Sequence, residues 1–191
     1  MSLAENKDGY LEGQLLIAMP AMADQRFART LIYMCSHSPK GAMGLVVNKL
    51  MGSMTFLELL TQLGVEPPNS KADIRVHFGG PVEPGRGFVL HSRDYLREGT
   101  LAITDNIALT TNIDILKEIA VGGGPKSNLL TLGYVGWGPG QLENEIQDNA
   151  WLNVDSSDDL LFDADLDTKW ERAMQKLGID FSMLSGRAGR A

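Results

Sequence analysis

Four polar residues near the predicted ends of strands and helices have side chains that could act on a carbonyl group. Asn48 and Gln141 carry amides able to polarise a carbonyl oxygen, and His91 or Glu145 could serve as the base. This combination would make the protein a hydrolase-type enzyme. A conventional serine hydrolase is not indicated, because no serine stands in a Gly-x-Ser-x-Gly elbow.

Cys35 is the only cysteine of the chain, so no intramolecular disulfide can form. It ends the apolar run 31–35, and this setting predicts a buried, unreactive thiol. His37 follows two residues later, on the same face of the strand if the strand continues. A Cys–His nucleophile pair is therefore the alternative.

Metal ligation is not predicted by the spacing of the histidines or of the acidic residues. His37, His77 and His91 match no zinc signature, although His77 and His91 are expected on neighbouring strands whose faces could bring them together. The run 163–167 opens like a calcium loop, but Thr168 stands where the loop requires glycine. We therefore predict neither a metal nor another cofactor.

The turn at 136–140 alternates glycine with other residues and leads into a predicted helix. It matches neither a dinucleotide fingerprint nor a phosphate-binding loop, and Glu143 and Glu145 would repel a phosphate at the start of that helix. Trp137 stands between two glycines, so we expect it to be partly exposed and to anchor a ligand or partner.

Charge and hydropathy exclude several classes of function. The 191 residues carry a net charge of −7, which argues against direct nucleic acid binding and against attraction to anionic membranes. The N-terminal residues lack the apolar segment of a secretory signal, and no stretch is long and apolar enough for a membrane helix. These features predict a cytoplasmic protein, with a single domain over 1–181 and a flexible tail over 182–191.

The order of the predicted elements favours the α+β class over a doubly wound parallel sheet. Helices are predicted at 56–63, where Thr55 and Glu58 have capping-box spacing, and at 113–121, 139–149 and 170–177, with a short turn at 157–162. Strands are predicted at 11–18, 27–36, 43–48, 74–78, 88–91, 101–104 and 129–135. We expect the strand at 74–78 to be buried on one face only and to pair with the strand at 88–91.

The order of short motifs along nearly the whole chain resembles the YqgE/AlgH family of small bacterial proteins. The motifs are Leu11-x-Gly13-x-Leu15-Leu16-x-Ala18-x-Pro20, Asp24-x-x-Phe27, Gly41-Ala-Met-Gly44-Leu-Val-Val-Asn48, Phe78-Gly79-Gly80-Pro81-Val82, Phe88-Val-Leu90-His91, Gly133-Tyr-Val-Gly136-Trp137-x-Pro139-Gly140-Gln141-Leu142-x-x-Glu145 and Ala150-Trp151-Leu152.

This resemblance implies a fold more specifically than a function. The fold would be a mixed, bifurcated or barrel-like β-sheet surrounded by helices. No catalytic residue can be carried over from the family. One branch of it has been described as a transcriptional regulator of alginate synthesis, which gives a further functional alternative.

The leading hypothesis is a regulatory module that binds a protein or a small ligand without catalysis. Its site would form where the turn at 136–141 approaches Asn48 and the stretch 79–81, because these glycine-rich strand ends carry no catalytic signature. The predicted site residues are Asn48, Gly79, Gly80, His91, Trp137, Gln141 and Glu145.

Overall fold

The computed structural model describes residues 9–22, 24–66 and 74–179. The strands are β1 (Gln14–Ala18), β2 (Leu31–Ser38), β3 (Gly41–Val46), β4 (Val76–Phe78), β5 (Val82–Ser92), β6 (Thr100–Ala102), β7 (Ile107–Thr110), β8 (Asn128–Trp137) and β9 (Trp151–Asp155). The helices are α1 (Phe56–Gln62), α2 (Asp114–Ala120), α3 (Gln141–Gln147), α4 (Asp158–Phe162) and α5 (Lys169–Lys176), with 3-10 turns at Gln25–Phe27 and Leu166–Thr168. The N-terminal residues 1–8 and the predicted flexible tail lie outside the described residues.

The strands form one curled sheet that is bifurcated at β8. Along the main path the strand order is β6-β7-β5-β8-β3-β2-β1-β9. One edge of β8 pairs with β5, whereas the other edge is shared by β4, opposite residues 130–132, and by β3, opposite residues 135–137. The predicted α+β class with a bifurcated sheet is therefore confirmed.

The predicted pairing of the strands at 74–78 and 88–91 is wrong, because β8 lies between them. His77 of β4 is paired with Thr131 from one edge of β8, and His91 of β5 is paired with Asn128 from the other edge. The two histidines therefore do not meet. The expectation of a half-buried strand is also wrong, since Val76 and His77, on opposite faces, are both buried.

Three apolar clusters hold the helices against the two faces of the sheet. Helices α4 and α5 pack on the face formed by side chains of β1, β2, β3, β5 and β7, with Trp170 and Met174 fully buried there. On the opposite face, α1 and α2 cover β5 and β8. Helix α3 covers β1, β2 and β3 on that same side through Leu142. This arrangement brings α3 next to the end of β8.

Glycines at the bifurcation allow the backbones of three strands to approach closely. The amide of Gly79 donates to Leu132 O at 2.8 Å and its carbonyl accepts from Val46 N at 2.9 Å, so it links β8 with β3 where β4 ends. Gly133 of β8 has a φ of +75° and lies against the backbone of Gly80. A Cβ atom at any of these glycines would overlap main-chain atoms, so their small size is a requirement of the fold.

Local signals at α1 are confirmed in detail. The Thr55 side chain accepts from the Glu58 amide at 3.2 Å, and the Glu58 carboxylate accepts from the Thr55 amide at 3.2 Å. These two bonds are the capping box that the spacing predicts.

No helix in the described parts of the chain combines the length and the apolar character that crossing a membrane requires.

Candidate functional site

A cleft of about 400 Å³ lies where the end of β8, helix α3, the 3-10 turn at Gln25–Phe27 and the start of β5 come together. We call it the tryptophan cleft, because two indole rings form part of its wall. Its lining residues are Met22, Asp24, Arg26, Phe27, Pro81, Val82, Val135, Gly136, Trp137, Gln141, Glu145 and Trp151.

The turn between β8 and α3 aims two side chains of the helix at the cleft. Gly140 supplies the left-handed conformation, with a φ of +74°, and α3 begins at Gln141 rather than at the predicted Pro139. The Gln141 Oε1 atom accepts a hydrogen bond from the Gly138 amide at 3.0 Å. Gln141 and Glu145 are four residues apart and therefore share one face of the helix.

Glu145 is bound by the indole groups of two tryptophans. Its Oε1 atom accepts from Trp137 Nε1 at 3.3 Å and from Trp151 Nε1 at 3.2 Å. The two rings meet edge to face with centroids 6.1 Å apart. No group within residues 9–22, 24–66 and 74–179 donates a hydrogen bond to the Oε2 atom of this half-buried carboxylate. One oxygen is thus fixed and the other remains available to a ligand.

The prediction that Trp137 is partly exposed is wrong. Only 6% of its surface is accessible, and its ring packs in the cluster beneath α3 with Leu142. The glycines on either side suggested an open turn, but Trp137 is still part of β8 and faces Ala42 of β3 in the ladder. Its contribution to the cleft is therefore a buried wall.

An ion pair also lines the cleft. Arg26 contacts the Asp24 carboxylate through Nη2 at 2.7 Å and through Nε at 3.1 Å, and the Arg26 amide donates to the same carboxylate at 3.0 Å. These bonds hold the pKa of Asp24 below its usual value. The guanidinium also lies over the Phe27 ring, 5.5 Å from its centroid.

A second carboxylate of α3 bonds to a histidine away from the cleft. Glu143 Oε1 accepts from His37 Nε2 at 2.5 Å, while His37 Nδ1 accepts from the Leu11 amide at 3.0 Å. Because the backbone amide can only donate, the ring proton lies on Nε2. The pKa of Glu143 is lowered by its own backbone amide and by His37.

Cys35 is buried, as predicted, and does not bond to His37. It lies in the cluster beneath α4 and α5, and burial raises the pKa of its thiol. Because His37 uses both ring nitrogens for other bonds, a Cys–His nucleophile pair does not form.

Asn48 lies outside the tryptophan cleft and has a structural position. Its Oδ1 atom accepts from the Leu31 amide at 2.9 Å, and its Nδ2 atom donates to Arg29 O at 3.0 Å. These bonds fix Arg29 in a left-handed conformation with a φ of +54°. Asn48 borders a different recess, together with Arg75 and Asp165.

His91 is also far along the sheet from the cleft and is fully buried. Its Nδ1 atom donates to Ser92 O at 2.8 Å, so Nε2 accepts from the Thr110 hydroxyl at 2.7 Å. Burial lowers its pKa. Its two ring nitrogens are therefore occupied within the core.

The structure thus brings together Trp137, Gln141 and Glu145 and separates them from Asn48 and His91. Gly79 and Gly80 belong to the bifurcation of the sheet, and the chain reaches the cleft one residue later at Pro81. Sequence reasoning missed Asp24, Phe27 and Trp151 as site residues. All three occur in the motifs that carry the family resemblance, which is the signal that could have identified them.

Within the described residues, no three His, Cys, Asp or Glu side chains are grouped so that they could hold a metal ion.

Comparisons with known proteins give a consistent family assignment. The AlgH-like family model matches residues 15–182. A UPF0301 protein of Rhodopseudomonas palustris is 54% identical over 190 residues, which cover 95% of this chain and 87% of the relative. A UPF0301 protein of Rhodospirillum rubrum is 47% identical over 190 residues and covers 100% of this chain and 99% of the relative.

Solved structures agree with this result. The solution structure of the AlgH protein from Pseudomonas aeruginosa is 41% identical, covers 100% of both chains and has a TM-score of 0.82. The crystal structure of protein DIP2367 from Corynebacterium diphtheriae is 19% identical, covers 87% of this chain and 86% of the other, and has a TM-score of 0.69, so it supports the fold alone. The chain belongs to the AlgH-like family of UPF0301 proteins.

Proposed function

We propose that the protein is a regulatory binding module without catalysis, and that its protein or small-molecule ligand occupies the tryptophan cleft. The observation that carries this proposal is the convergence of Trp137, Gln141 and Glu145, which lie in sequence on a strand and the following helix, with Asp24 and Pro81 from distant segments. Concave sites with aromatic walls and a few polar groups are typical of ligand binding.

Hydrogen bonds that preorganise the cleft support the proposal. The Glu145 carboxylate is fixed by two indoles, and the Asp24 carboxylate is fixed by Arg26. Groups held in place before a ligand arrives reduce the entropy lost on binding. The volume of about 400 Å³ is also in the range of sites for small molecules or for a side chain of a partner.

The hydrolase alternative is less well supported by the geometry. It requires Asn48 or Gln141 to act on the same carbonyl as His91 or Glu145, within about 3.2 Å of the reacting atoms. Asn48 and His91 each use their polar side-chain atoms in hydrogen bonds elsewhere in the fold. Gln141 and Glu145 remain as a polar pair, and the lining residues include no Ser, Thr, Cys or Lys side chain that could act as the nucleophile.

The regulator alternative stays an expectation from the family resemblance. A net charge of −7 disfavours direct contact with DNA, because affinity for DNA comes largely from neutralised phosphates. Regulation through a bound protein or small molecule is compatible with the proposed module.

A fragment screen observed by NMR tests the proposed function. With ¹⁵N-labelled protein, we expect hits to shift the indole Nε1–H signals of Trp137 and Trp151 together with the backbone signals of 135–141. The variant Gln141→Ala should weaken these hits, whereas Asn112→Ala, which borders other recesses, should not. Hits that cluster at the recess of Asn48 and Arg75 instead would contradict the proposal.

A further inference from the structure

We propose that the tryptophan cleft selects a ligand through a positively charged ammonium or guanidinium group that binds the Oε2 atom of Glu145. This inference rests on the proposed function, because it assigns the chemistry of the ligand that the module binds. The cation would belong either to a free amine or to a Lys or Arg side chain of a partner, and both present the same group to the carboxylate.

The charges that line the cleft favour a cation. Of the lining residues, Asp24 and Glu145 are acidic and Arg26 is basic. Arg26 and Asp24 neutralise each other through their short ion pair of 2.7 Å, so Glu145 supplies the uncompensated charge. The chain as a whole carries a net charge of −7, which adds an attractive far field for a cation.

The geometry at Glu145 leaves one oxygen ready to accept a bond. Both indoles donate to Oε1, at 3.3 and 3.2 Å, and hold the carboxylate in a fixed orientation. Oε2 belongs to the same half-buried group, and no residue in the described part of the chain donates a hydrogen bond to it. A charged donor placed there would form a charge-assisted hydrogen bond at a partly desolvated site, where such bonds are strong.

Arg26 does not make the cleft an anion receptor. Its Nε and Nη2 atoms are both directed at the Asp24 carboxylate, so the side-on pair of donors is occupied and the charge of the guanidinium is neutralised. An anionic ligand would approach an arginine that Asp24 already neutralises and would also face the Glu145 charge. An ammonium or guanidinium ligand meets neither obstacle.

Three probes of similar size and different charge test the inference on the intact protein. We expect butylammonium to shift the indole Nε1–H signals of Trp137 and Trp151 in a saturable manner, and butanol and butyrate to do so at least about tenfold more weakly, as expected for a bond to a charged group. The effect of butylammonium should decrease as salt is raised.

Two variants of α3 separate the role of Glu145 from the general charge of the helix. Glu145→Gln retains an oxygen for the indoles and removes the charge, and it should weaken butylammonium binding by about tenfold or more. Asp148→Asn removes one charge at the exposed end of the same helix and should leave binding unchanged within about twofold. Dispersed indole signals in both variants show that the fold is intact. If Glu145→Gln does not fold, the comparison of the three probes on the unmodified protein decides the question.

Each outcome distinguishes this inference from the proposed function. If butanol or butyrate shifts the indole signals as strongly as butylammonium, charge selection is wrong but binding in the cleft stands. If neither these probes nor the fragments affect the indole signals, both proposals are wrong. A polyamine and a short lysine peptide, titrated in the same way, show whether a free amine or a side chain fits better.

Discussion

Glu143 and Glu145 show how residues two positions apart on one helix acquire different roles. In the sequence, both are acids near the N-terminus of a helix, where their negative charge interacts favourably with the helix dipole. In the structure, Glu143 bonds to His37 on one side of α3, and Glu145 bonds to two indoles on the other. The 3.6-residue period separates the two side chains, and the surrounding strands supply their partners.

At the residue scale, we expect the buried His77 to make the protein less stable in acid. Its Nδ1 atom donates to Leu130 O at 3.0 Å, and burial lowers its pKa to about 4 from 6.5. The unfolded chain therefore binds the proton first as pH falls, so the free energy of unfolding should decrease between pH 6.5 and 4, by at most about 1.4 kcal/mol per pH unit.

Urea unfolding at pH 7, 6, 5 and 4.5 measures this effect. The control is His77→Asn, which offers an amide donor to Leu130 O but does not titrate. The difference in unfolding free energy between the two proteins should shift in favour of the variant as pH falls. A difference that stays constant over this range would contradict the assignment.

At the scale of elements, β8 organises both the sheet and the cleft. Its central residues pair with β4 and β5 on opposite edges, and its last residues pair with β3 and then enter the turn to α3. The apolar run of this strand indicates that it is buried, but two partners on one edge leave no signature in its own sequence. The neighbours of β8 are decided by contacts between segments far apart in the chain.

The close approach of strands at the bifurcation predicts that Gly133→Ala destabilises the protein. The residue has a φ of +75° and a Cβ atom would overlap the carbonyl of Gly80, so the strand must shift or β4 must move away. We expect a loss of about 2–4 kcal/mol of unfolding free energy, measured by urea denaturation.

The matched control is Gly136→Ala in the same strand. A Cβ atom there would meet Tyr134 Cε2 at 3.4 Å, an ordinary contact, and the residue has no positive φ. Its unfolding free energy should change by no more than about 0.5 kcal/mol. Equal losses for the two variants would show that the close approach at Gly133 is not the cause.

At the scale of the whole molecule, a buried lysine joins the helical layer to the sheet. Lys169 is fully buried at the start of α5, and its Nζ atom donates to Leu161 O at 2.9 Å and to Val47 O at 3.3 Å. Leu161 lies in the last turn of α4 and Val47 directly follows β3, so one side chain connects three elements. Burial lowers the pKa of this amine from 10.5 to about 8.

Because the pKa of Lys169 is lowered by burial, we expect the protein to become more stable as pH rises above 8. Between pH 8 and 10.5 the unfolded chain holds a proton that the folded chain has released, so the free energy of unfolding should increase with pH, by at most about 1.4 kcal/mol per unit. The measurement is the difference between the unmodified protein and Lys169→Met at pH 7, 8, 9 and 10. Taking the difference removes the opposing contributions of Cys35 and Tyr33, whose pKa values are raised by burial. A pH-independent difference would refute the prediction.

Local features of the fold could be predicted from the sequence, whereas pairings and edge strands were harder. The capping box of Thr55 and Glu58, the apolar stripe of α1 and the burial of Cys35 depend on neighbours within a few residues. β7 and β9 were missed as strands, because both are short. β9 also depends on a distant partner, β1, whereas β7 pairs with its neighbour β6 and with β5.

The sequence by itself determined the family, the α+β class and the proximity of Trp137, Gln141 and Glu145 around one turn, because each follows from residue types and short spacings. Only the tertiary structure decided that Asp24, Phe27, Pro81 and Trp151 complete the cleft while Asn48 and His91 lie elsewhere. The physical reason is that strand order and register fix which distant side chains meet, and these are set by the packing of the whole sheet.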